Sequence, residues 1–78
     1  MNSVQAFNII FEEFDYTLDE LLKDLRKRNW KEREIENVKV YLKGGSYIHA
    51  LTLNMIEDVI PSKIRAYYFY LRMLANNN

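Results

Sequence analysis

Seventy-eight residues carry eleven Lys and Arg against eleven Asp and Glu, for a net charge of zero, with no cysteine, two glycines and one proline. A chain this short supports one core, so a single small domain is expected over 1–78, and an apolar fraction of 49% is too rich for a disordered segment. The absence of cysteine excludes a disulfide framework and thiolate or Cys-zinc chemistry.

Two glycines, neither preceded by Asn, leave little turn chemistry for hairpins. The fold class expected is therefore all-α, a compact bundle of four to five short helices. No apolar run approaches the ~18 residues that a spanning helix needs. Residues 1–11 hold no basic start of a secretory signal, so a cytoplasmic setting without membrane contact is expected.

In chain order, Ser3 reads as a helix start, and Val4, Phe7, Ile10, Phe11 and Phe14 follow three and four apart, which predicts a first helix over 3–16. Thr17-Leu18-Asp19-Glu20 has capping-box form, and Leu18, Leu21, Leu22 and Leu25 make a narrow apolar stripe that ends among Lys23, Arg26, Lys27 and Arg28. Asn29 is expected to close this second helix in a left-handed conformation, with Trp30 folded back beneath the junction.

Lys31 to Lys43 resumes helical spacing through Ile35, Val38, Tyr41 and Leu42 until Gly44-Gly45 stops it. Ser46 then reads as the cap of a fourth helix, whose Tyr47, Ile48, Leu51, Met55, Ile56 and Val59 are expected to face inward. Pro61 breaks that helix at Ile60, and a last helix runs from Pro61 or Ser62 to about Ala75, ahead of a frayed tail over 76–78. The expected core is Phe7, Phe11, Phe14, Leu18, Leu21, Leu22, Leu25, Trp30, Ile35, Val38, Leu42, Ile48, Leu51, Ile56, Ile64, Tyr67 and Leu71.

Leu25, Asn29, Trp30, Ile35 and Val38 fall at the spacing of a helix-turn-helix, although Leu25 stands where a small residue is usual. A nucleic-acid contact would use Lys23, Arg26, Lys27, Arg28 and Lys31. The second helix of that pair opens Lys31-Glu32-Arg33-Glu34-Ile35-Glu36, which brings three carboxylates to where phosphates would approach. A solvated face of Glu and Lys/Arg pairs explains the same residues, and nucleic acid ranks below a protein partner.

The last helix carries the stronger signal. From Ile64 to Leu74 only Arg65 and Arg72 interrupt a run of apolar and aromatic side chains that a helix distributes around nearly its whole circumference. Either the helix is central to its own bundle, or one face is an interface, for which Tyr, Phe, Met and Arg are the enriched types. The expected interface residues are Tyr67, Tyr68, Phe69, Tyr70, Arg72 and Met73.

Catalytic groups are sparse. His49 is the single histidine, Ser3, Ser46 and Ser62 stand at helix starts, and Glu12, Glu13, Asp15, Asp19 and Glu20 lack the spacing of a calcium loop. No catalytic, metal or cofactor site is expected. The function expected is a small protein-binding module, an adaptor, inhibitor or regulatory subunit, forming a homo-oligomer or joining a partner protein. The alternatives are a helix-turn-helix-like nucleic-acid-binding regulator and, below it, a carboxylate-metal enzyme. Richness in Asn, Ile, Lys and Tyr fits an AT-rich coding sequence of the phage or plasmid kind.

Overall fold

The computed structural model describes residues 1–45 and 47–76, and among these there are five α-helices and no strand. They are α1 (Ser3–Glu13), α2 (Leu18–Lys27), α3 (Glu32–Leu42), α4 (Ala50–Val59) and α5 (Ser62–Asn76). α1 packs against α5 and α3, and α2 against α3 and α4, so the all-α bundle expected from the sequence is the observed architecture.

Local chemistry sets several of the helix ends. Asn2, one residue earlier than expected, caps α1: its side chain accepts from the Gln5 amide at 2.9 Å while the Gln5 side chain accepts from the Asn2 amide at 3.0 Å. Ser3 is thereby freed to turn inward, where its hydroxyl hydrogen-bonds that of Tyr41 on α3. Thr17 caps α2 as expected, accepting from the Glu20 amide at 3.2 Å.

α2 ends at Arg28, and Asn29 lies at φ 65°. The Asn29 amide donates to the Arg26 carbonyl at 3.0 Å and the Trp30 amide to the Leu25 carbonyl at 3.1 Å, the paired bonds of a Schellman stop. α3 closes the same way: Gly44, at φ 86°, donates to Tyr41, and Gly45 donates to Val40, each at 3.0 Å. A Cβ on Gly45 would sit 3.0 Å from both Cγ1 and the carbonyl oxygen of Val40, so a side chain at the second position of this stop would crowd Val40.

The left-handed turn gives a test. Asn29→Gly should be neutral or slightly stabilising, whereas Asn29→Val should cost about 1–2 kcal/mol, because a β-branched residue resists positive φ. Urea melts of the two variants check this, and an unchanged Asn29→Val midpoint would contradict it. Trp30 packs against the core but is only half-buried.

The core is built from Ala6, Phe7, Ile10, Tyr16, Leu21, Leu22, Leu25, Ile35, Val38, Leu42, Ile56, Val59, Ile60, Tyr68 and Leu71. Phe11, Leu18, Trp30, Ile48, Ile64 and Tyr67 are partly buried against it. Two expected core residues lie outside. Phe14 is 37% exposed, because α1 ends at Glu13 and the extended backbone of Phe14 swings its ring to the rim; Tyr16 occupies the core in its place.

Leu51 is 66% exposed, and Tyr47 and Met55, also expected to face inward, are 80% and 52% exposed. α4 begins at Ala50 with His49 as its cap, its Nδ1 accepting from the Leu51 amide at 3.1 Å; the Ser46 cap lies outside the described residues. The rotation of α4 has an electrostatic cause. Glu57 is turned inward, 3% exposed, to accept from the Tyr68 hydroxyl and the Arg72 guanidinium of α5. A helix that buries Ile56, Glu57 and Val59 turns Leu51 and Met55 to solvent.

Asn76, expected in the frayed tail, is the last residue of α5; residues 77 and 78 lie outside the described residues.

Candidate functional site

The long α5 helix divides its circumference sharply. Ile64, Tyr67, Tyr68 and Leu71 form the stripe that meets the bundle. Tyr68 is fully buried, its ring 4.7 Å from that of Phe7, and burial together with the Glu57 carboxylate pushes its phenol well above the ordinary range. Tyr68 is therefore a core residue and not a surface one. The expected core held Tyr67 and not Tyr68; it is Tyr68 that is fully buried, against Phe7, while Tyr67 is only partly buried.

Arg72 is the second expected interface residue with an internal role. Its guanidinium donates to Glu57, and its side chain keeps only 36% exposure. Glu57 itself escaped sequence reasoning, since a lone acid inside an apolar stripe gives no sign of its partners eleven and fifteen residues on.

The opposite side of α5 is open. At 100° per residue, Phe69, Met73, Ala66, Tyr70, Lys63 and Leu74 occupy an arc of about 140°, and all six are exposed. Tyr70 is 54% and Met73 59% exposed. Lys63, at the helix start, is the single charge on this arc.

The surface does not stop at the helix edge. The Tyr67 and Tyr70 rings stack at 6.3 Å between centroids, and Phe14 meets Tyr67 edge-on at 5.6 Å. A hydrogen bond to Glu13 and partial burial raise the Tyr67 phenol above its ordinary range. The end of α1 thus widens the α5 face into a continuous aromatic patch, with Glu13 at its margin. Of the six expected interface residues, Phe69, Tyr70 and Met73 share this open face, Tyr67 borders it, and Phe14 and Leu74 join it unforeseen.

The basic segment has another geometry. Lys23, Arg26, Lys27, Arg28 and Lys31 are all exposed, but Arg26 is held by Glu32, Nε to Oε1 at 2.8 Å, and that pairing keeps the Glu32 carboxyl below its ordinary range. Leu25, Asn29, Trp30, Ile35 and Val38 do form the turn and inner face that the helix-turn-helix spacing describes. The outer face of α3 shows Glu32, Glu34 and Glu36 to solvent beside Arg33.

Concavities lie among residues of the other elements. A cleft of about 440 Å³ is lined by Glu34, Asn37, Tyr47, Ile48, His49 and Thr52. A shallower one of about 200 Å³ is lined by Arg28, Trp30, Met55, Asp58 and Val59. Among the described residues no three His, Asp or Glu side chains converge as metal donors, and no helix is long and apolar enough to cross a membrane. Comparison with protein-family models, curated proteins and solved structures finds no match.

Proposed function

We propose that the chain is a small protein-binding module of the cytoplasm, an adaptor, inhibitor or regulatory subunit, that acts through the solvent-facing arc of α5. The observation that carries this reading is the contrast within one helix. Tyr68 and Leu71 turn into the core, yet Phe69, Tyr70, Met73 and Leu74 leave 41–59% of their surface exposed on one apolar face. Contiguous exposed apolar patches mark interaction surfaces, and aromatic residues and Met are enriched at interface centres.

The test is affinity capture from the native host with wild-type chain and with the double variant Tyr70→Glu/Met73→Glu. Both positions are more than half exposed, so the variant should remain folded, with at most about 1–2 kcal/mol lost to the Tyr67 stack and the helix dipole, while losing the proteins that the wild type retains. Equal recovery by both would contradict the reading.

A further inference from the structure

We infer that the occupant of the α5 face is a second copy of this chain, docked antiparallel across a two-fold axis that passes beside Tyr70. The inference rests on the protein-binding reading above and deepens it by naming the partner.

The charge pattern selects the orientation. Lys63 lies at the N-terminal end of the open arc and nothing charged follows it up to Leu74. In a parallel pair the two Lys63 side chains would meet, like charge on like. Antiparallel docking sets the two Lys63 side chains at opposite ends of the contact, about 20 Å apart along the axis. No other charge on the arc is then desolvated.

Shape points the same way. Tyr70 lies on the arc near the middle of its length, and a two-fold axis beside it sets Ala66 opposite the partner's Leu74. A small residue then faces a large one at both ends, as interdigitating helix faces require. The same patch on both copies makes the contact isologous, and it closes at two.

The area suffices. Phe14, Phe69, Tyr70, Met73 and Leu74 are 37–59% exposed, and pairing two such faces removes on the order of 1,000 Å² from water, the low end for specific association. A reversible dimer is the expected form.

The chain has no cysteine, so single introduced thiols report the register directly. Under mild oxidation, Tyr70→Cys should link to itself, and a mixture of Ala66→Cys with Leu74→Cys should link between the two variants. Lys63→Cys should stay unlinked, because the antiparallel arrangement separates the two thiols by about 20 Å along the axis. All four positions are exposed, and circular dichroism confirms that each variant is folded.

Sedimentation equilibrium of the unmodified chain at high micromolar concentration should give the dimer mass. Self-linking of Lys63→Cys would overturn the antiparallel register. A monomer mass together with unlinked Tyr70→Cys would overturn the dimer, and if capture of another protein still depended on Tyr70 and Met73, the protein-binding reading would survive that failure.

Discussion

Tyr68→Ala should cost about 4 kcal/mol, a large share of the roughly 5–10 kcal/mol that holds a domain of this size together. The ring is fully buried between α1 and α4, in contact with Phe7, so its removal opens a cavity where three helices meet. It also withdraws a hydroxyl from Glu57. Tyr68→Phe separates the two effects: it keeps the ring and should cost about 1–3 kcal/mol for the lost donor alone. Urea unfolding measures both, and a Tyr68→Ala loss below that of Tyr68→Phe would contradict the placement of this residue at the centre of the bundle.

Arg72→Met should cost about 3 kcal/mol, close to the effect of a core truncation, although Arg72 is itself partly exposed. The reason lies in its partner. Glu57 is 3% exposed, and an acid desolvated to that extent without its cation is strongly unfavourable. Glu57→Gln keeps an acceptor for the Tyr68 hydroxyl and removes the charge, so Glu57→Gln/Arg72→Met should recover a large part of the loss. A double-mutant cycle reads the coupling, and additive losses would show that the pair contributes nothing specific.

This buried network also explains where the sequence could and could not be read. Helix existence was legible because its signals are local: the Thr17 cap, the Asn29 turn, the Gly44-Gly45 stop and the Pro61 break each act within a few residues. The rotation of α4 was not, because it is set by a contact between Glu57 and residues one helix away. Hydrophobic spacing alone assigns Leu51 and Met55 inward as readily as Ile56 and Val59, and only the partners of Glu57 break the tie. Phe14 was misplaced for a related reason: apolar periodicity continues past Glu13, while the helix does not.

The α5 surface shows the same division. Its excess of apolar residues was visible in the run from Ile64 to Leu74, but which of them face the core depends on the contacts of Tyr68 with Phe7 and Glu57. Once Tyr68 is fixed inward, helical geometry assigns Phe69, Tyr70, Met73 and Leu74 outward. The composition therefore indicated surplus apolar surface on this helix, and the packing decides which residues carry it.

That another protein chain covers this outward face is tested most directly by following the backbone amide NMR spectrum of the unmodified chain on dilution. The amides of Ala66, Phe69, Tyr70, Met73 and Leu74 should shift together as concentration falls, with those of α2, α3 and α4 nearly still. Shifts centred instead on Tyr47, Leu51 and Met55, or a spectrum independent of concentration in a chain that also captures no partner through Tyr70, would contradict it.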